Sequence, residues 1–360
     1  LRARASNFTI RDIKEATAFA HARHKKVYVT TNIIPHNEDL DGVIDYLKEL
    51  EDAAVDAIIS ASPFIIDMAL GHTNLEVHLS TQQSVTNHEA INYWYEKGVK
   101  RIVLARELFM DEIKAITKKT RADLEVFVHG GMCMSFSGRC SLSNNMTERD
   151  ANRGGCAHSC RWNYTLQKSG KNVHDANFSM SSKDLEALDY VPDMIDAGVK
   201  SLKIEGRMKS LHYIATVVAT YRRVIDDYLA NGHIDDFSPY EKEIQKAENR
   251  PASHGYLGGM PTINEQLFNQ RSEQPTQVFI GLVQSFDAQT MTAMIEQRNY
   301  FEIGDQIEIF SPNEKNRIFT LTAMEDGEGV HTPVARHPKQ ILKISVPFPL
   351  EHYAMLRKVS

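Results

Sequence analysis

Cysteine is scarce. The chain has four in 360 residues, all between Cys133 and Cys160, spaced C-x6-C-x15-C-x3-C. No apolar run approaches the roughly 18 residues of a membrane-spanning helix, and no basic, then apolar leader follows Leu1. A membrane partner is therefore not expected, and a reducing, cytoplasmic setting is the default. In that setting clustered thiols more often hold a metal than form disulfides. No Gly-rich phosphate fingerprint follows a strand-like run, which counts against a dinucleotide-binding sheet. H-E-x-x-H and G-x-S-x-G are missing too, so the signatures of zinc proteases and α/β-hydrolases are not there. With 42% hydrophobic and 24% charged residues, the chain is neither disordered, collagen-like nor a coiled coil.

Negative charge is in slight excess. The formal net charge is -6, which on average disfavours a nucleic-acid binder. The cysteine region runs against that average. Arg139, Arg149, Arg153, Arg161, Lys168 and Lys171 face only Glu148 and Asp150 between positions 139 and 171. On charge alone this stretch reads as a solvated loop.

Strand-like and helix-like runs alternate through the first two thirds of the chain. Apolar, β-branched runs at 26–32, 56–60, 76–82, 101–108, 124–131 and 201–207 predict six strands. Helices are predicted over 11–24, 37–50, 63–69, 88–97, 110–118, 183–197 and 211–231, with a hairpin around Lys168–Gly170. The alternation implies a parallel sheet of βαβ units. At each strand's carboxyl end a polar group follows the apolar run: Thr31 and Asn32, Ser60 and Ser62, Thr81 and Gln82, Arg106 and Glu107, His129, then Glu205 and Arg207. That recurrence favours a TIM-like (β/α) barrel, whose strand ends converge on one mouth. Six strands leave an eight-stranded barrel two short, so its first two strands are expected to be missing from this chain.

The expected organisation is a barrel domain over 1–231 with a cysteine-bearing insertion at 129–200, a linker or packing arm over 232–276, and a small domain over 277–360. The arm is suggested by Pro239, Pro251, Pro261 and Pro275. Period-two runs at 278–286, 290–297, 305–311, 317–324 and 340–346 mark the last domain as an all-β barrel or sandwich.

Four thiolates suit tetrahedral zinc or an iron–sulfur cluster. Only Cys156 and Cys160 are spaced like a zinc knuckle. The glycines around them (Gly130, Gly131, Gly138, Gly154, Gly155) would let backbone wrap a bulkier object. A cysteine nucleophile would leave three thiols unexplained. His129, Glu107, Glu205 and Arg207 are candidates for acid–base or anion-binding work at the mouth. A buried, hydrogen-bonded histidine is the plainer account of His129, and a structural Arg106–Glu107 ion pair accounts equally well for those two.

The stretch EVFVHGGMCMSFSGRCSLS (residues 125–143) resembles the signature of the U32 family, once named collagenase-like peptidases. Glu125, Phe127, Gly130, Gly131, Cys133, Gly138, Cys140 and Ser143 fall in the family's pattern. NRGGCAHSCRWNY (152–164), SLKIEGRMKS (201–210) and RNYFEIGDQIEIF (298–310) resemble further blocks of its long members. This resemblance covers essentially the whole chain. It implies an oxygen-sensitive [4Fe–4S] cluster on Cys133, Cys140, Cys156 and Cys160, and a role in 5-hydroxylation of the tRNA wobble uridine, with prephenate linked to the reaction. It implies tRNA as partner and allows a second U32 subunit. Asn32, Gln82, Arg106, Arg153, Arg161 and Trp162 are then the expected substrate-binding residues, Trp162 by stacking on a base. Rival expectations are a peptidase acting on unfolded or collagen-like chains, and a non-catalytic RNA-binding or assembly factor with a structural metal site.

Overall fold

The structure, a computed structural model, describes residues 7–173, 177–206, 209–247, 250–267, 277–312 and 314–359. It divides into two compact units, Leu1–Glu205 with Pro251–Arg271 and Gly206–Arg250 with Ser272–Ser360.

The first unit alternates as the periodicity predicts: α1 (Ile10–His21), β1 (Tyr28–Thr30), α2 (Val43–Asp52), β2 (Ala57–Ser60), α3 (Pro63–His72), β3 (Glu76–Leu79), α4 (His88–Glu96), β4 (Arg101–Val103), α5 (Met110–Thr117) and β5 (Asp123–Gly130). Short apolar runs make the strands. All four residues of β2 and three of four in β3 are buried, as befits a parallel sheet covered on both faces. Short polar side chains start the helices. Thr9 and Asp12 form a reciprocal capping box on α1. Ser62 caps α3 with Pro63 in its first turn, and Asn87 accepts the Ala90 amide at 2.9 Å to open α4. Strands β1 to β5 pair in sequence order, all parallel.

Beyond β5 lie α6 (Leu142–Thr147), a hairpin of β6 (Gln167–Lys168) and β7 (Lys171–Asn172), β8 (Asp184–Glu186), α7 (Val191–Ala197) and β9 (Ser201–Ile204). Residues 183–197 are therefore not one helix. Leu185 pairs antiparallel with Gly130, and Asp184 pairs parallel with Ala252 in β10 (Ala252–Ser253). These long-range partners outweigh the segment's helical pattern, and the helix begins only at Val191, with Pro192 in its first turn and Gly198 ending it. The sheet is consequently mixed, not wholly parallel. Strand β5 gives one edge to β4 and shares the other between β9, parallel along 125–129, and β8, antiparallel at 129–130. Among the described residues β1 pairs only with β2 and β10 only with β8.

The second unit contains α8 (Leu211–Asn231) and α9 (Ser238–Gln245) as well as the β-rich end. The boundary expected at 231 thus falls at 205, and the arm expected over 232–276 is divided between the units. A buried charge network explains why these helices go with the strands. The strands are β11 (Val278–Asp287), β12 (Thr292–Gln297), β13 (Phe301–Glu302), β14 (Gln306–Ser311), β15 (Glu314–Thr320), β16 (Met324–Glu325), β17 (Val334–Ala335), β18 (Ile341–Ser345) and β19 (Met355–Lys358). Seven of them form an antiparallel sheet ordered β15-β14-β19-β11-β12-β18-β16. Its core gathers Ile280, Val283, Ile295, Ile307, Leu342 and Leu356. Fully buried Arg357 of β19 reaches Glu243 of α9 at 2.8 Å, Glu308 of β14 at 3.2 Å and Thr216 of α8 at 3.2 Å. Lys246 completes the network against Glu243 and Glu308. Among the described residues no helix is long and apolar enough to cross a membrane.

Candidate functional site at the strand ends

The carboxyl ends of the parallel strands carry the polar residues anticipated for them. Thr81 donates its hydroxyl to the Leu104 carbonyl at 2.9 Å, and Ser60 to that of Thr31 at 3.1 Å. Asn32 donates its amide to Gln82 Oε1 at 2.5 Å. These bonds join neighbouring strand ends into one rim.

Gly130 and Gly131 leave that rim under tight constraint. Gly130 has φ +114°, and a Cβ there would lie 2.8 Å from the Glu205 side chain and carbonyl. At Gly131 a Cβ would meet Arg161 Nη2 at 2.9 Å and Glu205 Oε2 at 3.1 Å. Only glycine lets the backbone pass so close to these charges. The Gly131 amide donates to Glu205 Oε2 at 3.0 Å, and its carbonyl accepts from Arg106 Nη1 at 2.6 Å.

Arg106 is the charge centre of the rim. Its guanidinium lies over the Phe127 ring, 3.8 Å from the centroid. Burial draws it below the usual arginine value, countered by the nearby charges of Glu205, Cys133, Glu107 and Asp184. Among the described residues its buried Nε has no hydrogen-bond partner, and neither do Thr31 Oγ1 and Ser159 Oγ.

The segment beyond Gly131 is stapled back onto the strand ends by contacts with no sequence signature. Glu107 receives the Ser137 amide at 2.6 Å and its hydroxyl at 2.5 Å. This clamp holds Ser137 in a left-handed conformation, φ 48°, which a residue with a side chain seldom adopts. Arg139 donates to the Gln82 carbonyl at 2.6 Å and to Gln83 Oε1 at 3.2 Å. The Ile34 amide donates to Asn152, and Arg153 pairs with Glu38 and Asp39, each at 2.8 Å. Local spacing could not reveal these pairings. Glu107 lies 30 residues from Ser137 and Arg153 lies 114 from Asp39.

All four cysteines are free thiols, Cys133 exposed and the others partly buried. Burial raises the Cys160 thiol above its usual value, and the charges of Cys133, Cys156 and Cys140 push it the same way, against Arg161. The four thiols thus share one electrostatic neighbourhood. Among the described residues, however, no three His, Cys, Asp or Glu side chains gather closely enough to hold a metal ion.

The structure therefore groups Asn32 with Gln82, and Arg106 and Arg161 with Glu205 and the thiols. Glu107 is near Arg106 but has both oxygens engaged by Ser137. Arg153 is held in ion pairs with Glu38 and Asp39. His129 is 1% exposed, inside the sheet rather than open at the mouth. Trp162 is 42% exposed. Arg207 lies outside the described residues.

The chain thus joins an α/β unit, with a four-cysteine insertion at its strand ends, to an antiparallel β module. The chain belongs to peptidase family U32: the model of that family matches residues 1–267, and the model of its C-terminal domain matches residues 275–357. Among its relatives, the tRNA hydroxylation protein P1 of Bacillus subtilis is 45% identical over 369 residues, covering 99% of this chain and 87% of that protein. The 23S rRNA 5-hydroxycytidine C2501 synthase of Escherichia coli is 38% identical over 226 residues, covering 62% of this chain and 34% of that enzyme. A protein named collagenase from Porphyromonas gingivalis is 31% identical over 331 residues, covering 87% of this chain and 79% of its own.

Proposed function

We propose that this protein is an RNA-modifying hydroxylase that installs the 5-hydroxyl group of the tRNA wobble uridine, acting in the cytoplasm. The observation that carries this reading is the gathering of four free thiols in one segment at the strand ends, with Arg106 near Cys133 and Arg161 near Cys160. The two relatives named for RNA hydroxylation, one on tRNA and one on rRNA, support the substrate class.

The donor set fits a [4Fe–4S] cluster on Cys133, Cys140, Cys156 and Cys160. A single zinc ion would draw its thiolates to about 2.3 Å from one centre. A [4Fe–4S] cluster calls for four thiolate donors as well, and the number and kind of donors in this segment suit it. When bound, such a cluster would supply one-electron redox chemistry at the strand ends.

The protein's own groups prepare the surroundings. Arg106 and Arg161 offset the negative charge that four thiolates bring, and can pair with the carboxylates of a small acid such as prephenate. Glu205 fixes the Gly131 amide where the segment leaves β5. Glu107 is a positioning residue that holds the Cys133–Cys140 loop through Ser137. Trp162 offers an exposed ring on which an unpaired base can stack. A second U32 chain would complete the assembly.

Anaerobic purification and tRNA mass analysis test the reading together. A brown protein with about four irons per chain, and loss of the wobble hydroxyl in a deletion strain, are expected. Colourless protein with stoichiometric zinc would remove the cluster, and unchanged wobble uridines would end the hydroxylation reading. The family description and the collagenase-named relative favour peptidase activity as the second reading. Cleavage of gelatin by the purified protein would support it.

A further inference from the structure

The six basic residues of the cysteine segment separate into two groups. Arg139, Arg149 and Arg153 are bonded to carbonyls or acids of the protein, and Arg161 is turned to Gly131. Lys168 and Lys171 are exposed on the β6–β7 hairpin and have no hydrogen bond or ion pair among the described residues.

These two lysines are directly opposite one another in the hairpin register. Like charges in that position, with Cβ atoms roughly 5 Å apart, destabilise a strand pair. The hairpin has little to offset this. Every residue from Thr165 to Val173 is exposed, and a two-stranded ribbon without packing is marginal in water. Its shape is nevertheless specified. Ser169 and Gly170 both have positive φ, 51° and 75°, the pattern of a tight type I′ turn. Behind the lysines, Gln167 donates to Asn172 at 3.0 Å, and the Val173 amide to the Leu166 carbonyl at 2.9 Å. Leu166 and Val173 are 53% and 42% exposed. A defined projection that buries nothing and sets two cations side by side has the character of a contact for an anion, not of a stabilising element.

We propose that the β6–β7 hairpin is a finger that grips the phosphate backbone of the RNA substrate through Lys168 and Lys171. This inference rests on the RNA-modifying reading above. The finger arises from the same segment as the four cysteines, a few residues after Trp162, so phosphate contact and base contact come from one stretch of chain. In a protein of net charge -6, a local pair of unneutralised cations lets RNA approach where the molecule as a whole repels it.

The test is binding of unmodified tRNA by the full-length, anaerobically purified protein across a salt series. Three forms are compared: the parent, Lys168→Ala/Lys171→Ala and Lys168→Arg/Lys171→Arg. The alanine pair is expected to weaken binding about tenfold at low salt and to flatten the log–log salt slope by about 1 per lysine removed. The arginine pair should restore both. Thermal unfolding should be the same in all three, because the hairpin buries nothing. Parent-like affinity and slope in the alanine pair would overturn the finger while leaving the RNA reading intact. A parent protein that fails to bind tRNA at any salt concentration would overturn both.

Discussion

Arg106 and Arg357 are two arginines in similar physical settings that have been put to different uses. Each guanidinium lies over a phenylalanine ring, Arg106 at 3.8 Å from Phe127 and Arg357 at 3.6 Å from Phe310. Around Arg357 the carboxylates of Glu243 and Glu308 close in directly, and Lys246 balances the second negative charge. Around Arg106 the acids are near but engaged elsewhere, Glu107 by Ser137 and Glu205 by the Gly131 amide, so a carbonyl is its hydrogen-bonded partner. One network is neutralised internally and serves the fold. The other leaves its guanidinium bonded to a backbone carbonyl beside Cys133, at the rim where a cluster or a substrate would arrive.

Removing Arg357 should break the comparison most severely. Arg357→Leu leaves Glu243 and Glu308 buried with Lys246 alone to offset two charges, and breaking such a buried pair typically destabilises by about 3–5 kcal/mol. Urea unfolding of the full chain measures it, and a loss below about 1 kcal/mol would mean the network is not what ties α8 and α9 to the strands. Arg106→Leu removes a guanidinium whose hydrogen bond goes to the Gly131 carbonyl and serves as the internal contrast.

Acid should act on the same network in two steps. His212 is 5% exposed, stacked on Phe279 and edge-on to Phe310, and burial with Arg357 nearby lowers it from 6.5 to about 4. Glu243, despite the opposing effect of burial, is lowered from 4.5 to about 2 by Arg357 and Lys246. Both folded-state values lie below the unfolded ones, so the unfolded chain takes up protons first and stability falls with pH. The histidine step, about 3 kcal/mol, runs from pH 6.5 down to 4, and the glutamate step follows from 4.5 to 2. His212→Leu should flatten the first step and leave the second. An unchanged profile between pH 7 and 4 would place the titrating group elsewhere.

The smallest effect is expected at the clamp. Glu107→Gln keeps the shape but weakens two charge-assisted bonds to Ser137, roughly 1–3 kcal/mol for the loop. Amide hydrogen exchange over 131–145 should speed up while exchange in β2 and β3 stays constant. Equal exchange in both forms would deny Glu107 its positioning role.

The sequence made the alternating α/β unit legible because buried β-branched runs such as AIIS at 57–60 admit few other readings. The four-cysteine segment was legible as well, because its chemistry is local. Contacts between distant residues were not. Asp184–Glu186 has a helical pattern until Gly130 and Ala252 arrive as strand partners. Helix α8 looks like the last crossover of the α/β unit until Thr216 meets Arg357. The polar groups that follow the strands were legible, but their hydrogen-bonded partners were not. Arg153 and Glu107 have the chemistry of a substrate site, and their partners Asp39 and Ser137 are what hold them to the architecture.

The edge that β5 divides between β9 and β8 bears on how freely this protein can change. Gly130, the last residue of β5, is the register partner of Leu185, so the cysteine segment departs and returns on hydrogen-bonded neighbours. A loop anchored in that way has its ends already joined, and doubling its length adds only about 0.6 kcal/mol of closure entropy. Residues can be inserted, deleted or exchanged between those two anchors without altering the register of β1 to β5 or of β8. The sheet thus acts as a socket, and the substrate that the protein handles can diverge with the segment seated in it while the scaffold stays the same.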